Sequence, residues 1–186
     1  MYLTNNNCIS VSTFPEDWCQ RVIENSEKLR IQQAAIQDGN NNNRSSKVAW
    51  IKENDELYKS IEDVIFNHNV KAEWNFDLKE FEPFQYTIYE QGDHYDWHID
   101  SHTKPYPNGF IRKISFTLCL NEDYEGGEFE IASLNPKGVN QNIKFKDKFT
   151  TGTLISFPSF SWHKVHPVTK GIRKVLVGWV VGPPFV

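Results

Sequence analysis

The chain has 186 residues, with 24% charged and 14% aromatic residues and a net charge of −4, which suits one ordinary soluble domain long enough to bury a core. The acidic balance argues against nucleic acid as a partner, since phosphate binding calls for a basic face; no apolar run reaches the length of a membrane span, and no basic-then-apolar start marks export. Three cysteines, Cys8, Cys19 and Cys119, lack metal-ligand spacing and read as reduced thiols of a cytoplasmic protein.

Phe14-Pro15-Glu16-Asp17-Trp18 opens a helical pattern with Trp18, Val22, Ile23 and Leu29 on one face and charges opposite. Gln37-Asp38-Gly39 and the low-complexity tract Asn40 to Asn43 end it in a loop. Ser46 to Ile51 reads as a short strand. A second helix runs from Asp55 to Asn69, with Leu57, Ile61, Val64 and Ile65 at helical spacing. His68, near its end, reads as a residue answering the helix dipole.

From Trp74 onward the period becomes two. Phe84, Tyr86 and Ile88 alternate with Gln85, Thr87 and Tyr89; after the turn Gln91-Gly92-Asp93, Tyr95, Trp97 and Ile99 alternate with Asp96, His98 and Asp100. In Ile111 to Asn121, one face carries Ile114, Phe116, Leu118 and Leu120 and the other only the small Ser115, Thr117 and Cys119. Glu128 to Ala132, Thr153 to Phe157, His163 to Val168 and Ile172 to Val181 add strands between Gly- and Pro-bearing turns. Helices first and strands after, without alternation, predict a mainly β (α+β) fold, an antiparallel barrel or jelly roll braced by N-terminal helices.

The strand parity selects a chemistry. His98 and Asp100, at i and i+2, point to one side of an extended segment. His163 and His166 point to opposite sides of a later strand, so only one of them can face the same site, and Val165 and Pro167 beside His163 suit a cavity wall. Two imidazoles and one carboxylate on one face of an octahedron leave open positions, as in non-haem Fe(II) oxygenases. A 2-oxo acid chelating that metal would leave one position for O2. Its far carboxylate then needs a cation, which Arg173 offers, and room, which Ser115, Thr117 and Cys119 leave. The hairpin through Thr169-Lys170-Gly171 is expected to place His163 and Arg173 on neighbouring strands. Two other readings compete: a zinc-dependent hydrolase built on His98, Asp100 and His102, which leaves His163 and Arg173 unexplained, and a non-catalytic jelly-roll binding module, which has no need of a cavity carboxylate and cation. Loop Ser101 to Phe110 follows a ligand directly and could form a lid, and Trp162 could wall the entrance.

The chain resembles the Fe(II)- and 2-oxoglutarate-dependent dioxygenases of the prolyl-4-hydroxylase-like family. The matching stretches are Gln85 to Tyr89 with Gly92, Tyr95 to Asp100, Arg112 to Ser115, Leu120-Asn121, Asp123 to Glu128, Gly152 to Ser159 and His163 to Arg173, then Trp179 and Gly182 to Phe185. The resemblance implies a double-stranded β-helix over 81–186 with 1–80 as helical support, together a single domain of 1–186. It further implies Fe(II) held by His98, Asp100 and His163, and Arg173 gripping the 5-carboxylate of 2-oxoglutarate. O2 is then the co-reactant and ascorbate a reductant, and a prolyl residue of a protein or peptide is the substrate. Tyr89 falls where the family often has a tyrosine lining the cosubstrate pocket. Prolyl-hydroxylating relatives carry a tyrosine just before the Leu-Asn pair that reaches the same carboxylate. Here Cys119 stands in that place, so Tyr89 or Thr117 is expected to help Arg173, with Cys119 bordering the pocket.

Overall fold

In the computed structural model two antiparallel sheets face each other, and two helices cover the outer face of the larger one; residues 8–34, 43–52, 55–102, 104–133, 142–145 and 149–185 are described. In chain order the elements are β1 (Ser10–Thr13), α1 (Glu16–Ser26), β2 (Gln32–Gln33), β3 (Arg44–Ser45), β4 (Lys47–Ile51), α2 (Asp55–Lys71), β5 (Glu80–Phe81), β6 (Phe84–Tyr89), β7 (His94–His98) and β8 (Ile111–Cys119). They continue with β9 (Tyr124–Gly126), β10 (Phe129–Ile131), β11 (Ile143–Phe145), β12 (Thr153–Pro158), β13 (His163–Val165), β14 (Val168–Gly171) and β15 (Arg173–Gly182). The larger sheet runs β1-β12-β8-β15-β6-β4-β2, with β5 on β15; the smaller runs β11-β10-β13-β7-β3, and β14 pairs with β9 apart from both. This is the jelly roll expected from the sequence, and no helix among the described residues is long and apolar enough to cross a membrane.

Period-two patterning explains why the central strands are buried on both sides. Phe84, Tyr86, Ile114, Phe116, Leu118 and Leu176 turn outward onto Val22 and Ile23 of α1 and Ile61 and Ile65 of α2. Each such side chain removed from water contributes roughly 1.5–3 kcal/mol, so this layer anchors both helices. Gly178 is required there: a Cβ would collide with the Phe116 ring and lie 2.8 Å from Phe84 Cδ1. Tyr89, Cys119, Val175, Ile155 and Phe157 turn inward with Phe129, Ile131 and Val165 of the smaller sheet.

Two sequence expectations fail in the N-terminal half. The first helix stops at Ser26 instead of running to a loop at Gln37, and Leu29 lies in the turn beyond it, 39% exposed. The chain leaves the helix because Gln32 and Gln33 pair with Val48 and Lys47 at the sheet edge, a tertiary gain that overrides local propensity. The loop expected over 37–42 lies outside the described residues. The N-terminal segment also does more than brace, since β1, β3 and β4 pair with β12, β7 and β6.

His68 is likewise no dipole cation. It is buried between two hydroxyls, with Nε2 2.7 Å from Ser12 Oγ and Nδ1 2.7 Å from Ser156 Oγ, and burial pushes its pKa down to about 4. A neutral ring satisfies both serines, one nitrogen donating and the other accepting. Because the folded value lies below the unfolded one, near 6.5, this neutral ring stabilises the fold above pH 6.5, and the contribution disappears as pH falls toward 4. Denaturant titrations should show wild type losing about 2 kcal/mol more than His68→Gln between pH 7 and pH 5; equal losses would show that His68 protonates freely in the native state.

Candidate active site

Strand β7 delivers the first imidazole and β13 the second. His98 and His163 are direct partners across the antiparallel pair, so both rings project from the smaller sheet into the space between the sheets, with centroids 4.1 Å apart. The next pair is Val165 with Tyr95, which leaves one extra residue on β7. That bulge overturns one parity expectation: Tyr95 lies on the same side as His98, stacked on its ring at 3.4 Å and 11°. Arg44 also packs on Tyr95, its guanidinium 4.8 Å from the ring centroid.

Both imidazoles have one nitrogen tied to backbone. His98 Nδ1 lies 2.7 Å from the Asp96 carbonyl oxygen and His163 Nδ1 lies 2.9 Å from that of Ser161. A carbonyl only accepts, so each Nδ1 carries the proton and each Nε2 turns a lone pair toward the centre. Asp100 follows just beyond β7, where its backbone N–H donates to the Ser159 carbonyl at 2.9 Å. Ser115 Oγ donates to Asp100 Oδ2 at 2.7 Å and stands 2.9 Å from Ser159 Oγ; with one proton of its own, Ser115 must receive the other bond from Ser159. His98 Nε2 is 3.8 Å from Asp100 Oδ1, and His163 Nε2 is 3.5 Å from Oδ2.

The charge states suit a cation. Burial pushes the Asp100 carboxyl up, but His163, His98 and Arg112 outweigh it and hold it below the usual carboxylate range. Burial, and then the neighbouring His163, hold the His98 ring well below its ordinary value. The two imidazoles and the ionised Asp100, with ligand atoms all within 4.8 Å of one another, form a donor set that could hold a divalent metal of the iron class.

A cavity of about 580 Å³ opens from this cluster, walled by Tyr89, Thr117, Arg112 and Trp179 and rimmed by the exposed Trp50 and Trp162. Arg173 lies on its wall from the opposite sheet. The expected hairpin neighbours are therefore wrong: β13 sits in the smaller sheet between β10 and β7, and β15 in the larger between β8 and β6, because β14 peels away to pair with β9. His163 and Arg173 face each other across the cavity instead of lying side by side. Arg173 is fully buried, yet among the described residues Nε, Nη1 and Nη2 make no hydrogen bond. The rings of Tyr89 and Phe149 flank it at 5.2 and 5.3 Å. Gly127 makes room for its stem, since a Cβ there would come 2.8 Å from Arg173 Cδ. A buried guanidinium without a partner costs several kcal/mol, and a carboxylate is the group that its fork fits.

The other sequence candidates separate clearly. Thr117 is on the cavity wall, whereas Cys119 is buried behind it, its thiol 3.0 Å from the Asn121 carbonyl and 3.3 Å from that of Phe149. His102 is exposed at the mouth, its ring 5.7 Å from Tyr106 and outside the metal cluster, which removes the compact zinc trio. His166 points away and meets Glu130 at 2.5 Å. In the loop after Asp100, Asn108 Nδ2 donates to Glu80 at 3.1 Å. Residues not singled out from sequence include Tyr95, hidden by the bulge, and the pair Arg112–Glu82, a two-pronged contact at 2.8 and 2.6 Å whose cation stacks 3.9 Å above Trp179. No spacing rule announces that pair, since its partners come from β8 and the segment between β5 and β6.

Comparison with known proteins agrees with this geometry. The family model described as "2OG-Fe(II) oxygenase superfamily" matches residues 84–181. A "PKHD-type hydroxylase" of Synechococcus sp. (strain CC9902) is 40% identical over 93 residues, 49% of this chain and 37% of that protein, so the chain spans well under half of that relative's length. Another, from Prochlorococcus marinus (strain NATL1A), is 35% identical over 167 residues, 82% of this chain and 69% of that protein. A prolyl hydroxylase solved in complex with a hypoxia inducible factor oxygen degradation domain peptide fragment from Trichoplax adhaerens superposes with a TM-score of 0.71 over 95% of this chain and 84% of that one. At 19% identity that last likeness is one of fold.

Proposed function

The chain belongs to the 2OG-Fe(II) oxygenase superfamily, and from that premise we propose that it hydroxylates a C–H bond, consuming 2-oxoglutarate and O2 and releasing succinate and CO2. The observation that carries this reading is a cavity with a His-Asp-His cluster on one wall and, on the other, a buried guanidinium that makes no hydrogen bond among the described residues. In it His98, Asp100 and His163 hold Fe(II), and Arg173 binds the far carboxylate of 2-oxoglutarate, with Tyr89 and Thr117 on the wall around the cosubstrate and Cys119 behind that wall. When bound, the iron and 2-oxo acid together supply an oxidant strong enough to break a C–H bond. The chain's own residues do the rest: Nδ1 contacts fix the imidazoles, Ser115 fixes the carboxylate, and the closed wall keeps water from the reacting centre.

A prolyl residue of a protein or peptide is the substrate we favour. Trp50 and Trp162, 42% and 53% exposed at the rim, offer flat apolar faces for a pyrrolidine ring, and the Trichoplax enzyme was solved with a peptide. Cys19 and Cys119 are buried free thiols, which supports a reducing, cytoplasmic setting, with ascorbate as auxiliary reductant. Residues 1–186 act as one domain, in which Asn43, Arg44 and Trp50 of the supporting segment also reach the cavity.

The test is an anaerobic titration with Fe(II) and then 2-oxoglutarate, read by visible absorption. The chelate should produce a charge-transfer band that saturates with 2-oxoglutarate. Tight zinc binding without any 2-oxoglutarate chelate would instead remove the oxygenase reading.

A further inference from the structure

We propose that Tyr124 donates a hydrogen bond to the far carboxylate of 2-oxoglutarate alongside Arg173, a contact supplied from β9 in place of one from β8. This rests on the cosubstrate reading above and adds the residue that completes it.

A carboxylate presents about four lone-pair positions, and one guanidinium fork fills two of them. At the closed end of a cavity the remaining positions lack water, and each needs a donor. Tyr89 and Phe149 turn ring faces toward Arg173. Thr117 is poorly placed to donate there, because its partner across the sheet is Val177, four residues along β15 from Arg173, or roughly 13 Å of strand. Cys119 pairs with Val175 and is nearer, but its thiol proton is directed at the Asn121 and Phe149 carbonyls.

Tyr124 fits. Its ring and the Arg173 stem share the space above Gly127, where a Cβ would lie 3.5 Å from Tyr124 Cε2 and 2.8 Å from Arg173 Cδ. Its hydroxyl oxygen lies 3.8 Å from Cys119 Sγ, a weak acceptor that an incoming carboxylate oxygen would displace. Burial, only partly opposed by Arg173, pushes this phenol up, so it remains a donor at neutral pH. The short Cys119 side chain leaves the volume that a phenol on β8 would fill, and Tyr124 enters that volume from the other side. The segment Asp123-Tyr124-Glu125-Gly126-Gly127 thereby acquires a role in binding as well as in turning the chain.

The experiment measures the affinity of the Fe(II)-loaded protein, without O2, for two probes: 2-oxoglutarate and 2-oxobutyrate, which chelates identically but has no far carboxylate. Band titration and calorimetry are both read. Tyr124→Phe is expected to weaken 2-oxoglutarate roughly 10- to 100-fold, as for loss of one hydrogen bond to a charged group, and to leave 2-oxobutyrate unchanged. Its melting temperature reports folding. An unaltered 2-oxoglutarate affinity would overturn the proposal, and so would equal weakening of both acids, which would make Tyr124 a packing residue. A wild type that shows no chelate with either acid overturns the cosubstrate reading itself, and this contact with it.

Discussion

Replacing Arg173 with alanine is expected to raise the Kd for 2-oxoglutarate by a hundredfold or more while leaving Fe(II) affinity unchanged. Loss of one partner from a buried charged contact costs roughly 3–5 kcal/mol, and each 1.4 kcal/mol is tenfold. Arg173→Lys keeps the charge but not the fork, so its loss should be smaller. A second consequence has the opposite sign. Arg173 is fully buried, and its three nitrogens make no hydrogen bond among the described residues, so without cosubstrate Arg173→Met should melt at or above the wild-type temperature, because an apolar chain of similar length removes a desolvated charge. Adding 2-oxoglutarate at about 100 times its Kd should then stabilise metal-loaded wild type by roughly 2.7 kcal/mol and the Met variant by almost nothing. An unchanged affinity in Arg173→Ala would strip the cosubstrate assignment of its physical basis.

His163→Ala is expected to abolish 2-oxoglutarate-dependent succinate formation and to lower bound iron, whereas His166→Ala keeps most of both. The two side chains stand three residues apart but on opposite sides. His163 Nε2 faces Asp100 Oδ2 at 3.5 Å inside the cavity, while His166 Nε2 meets Glu130 at 2.5 Å outside it. One hydrogen bond between partly exposed side chains contributes about 1 kcal/mol, so His166→Ala should be a mild stability variant. The decisive measurement is iron stoichiometry after gel filtration beside the succinate assay. Full iron and full turnover in His163→Ala would place the metal elsewhere.

Much of the site was legible because period and chemistry coincide on single strands. Ser115, Thr117 and Cys119 had to share a face once Ile114, Phe116 and Leu118 were assigned to the core. His163 and His166 had to diverge for the same reason. Parity failed at Tyr95, where one extra residue on β7 turns a ring onto the site that alternation sends away from it. Local helix propensity failed after Ser26, where the sheet edge offered Gln32 and Gln33 more than another turn of helix could.

The chain by itself determined which residues could act: the imidazoles, the carboxylate, the lone arginine after Gly171 and the small-residue face between them. It did so because side-chain alternation along a strand is a local property, set by backbone geometry. Only the tertiary structure decided which strand lies beside which. β14 pairs with β9, which sends His163 and Arg173 to opposite sheets, and it brings Tyr124 to the Arg173 side chain and Glu82 to Arg112. Those pairings join segments far apart in sequence, and their free energy comes from burial shared by many strands, which no local pattern records.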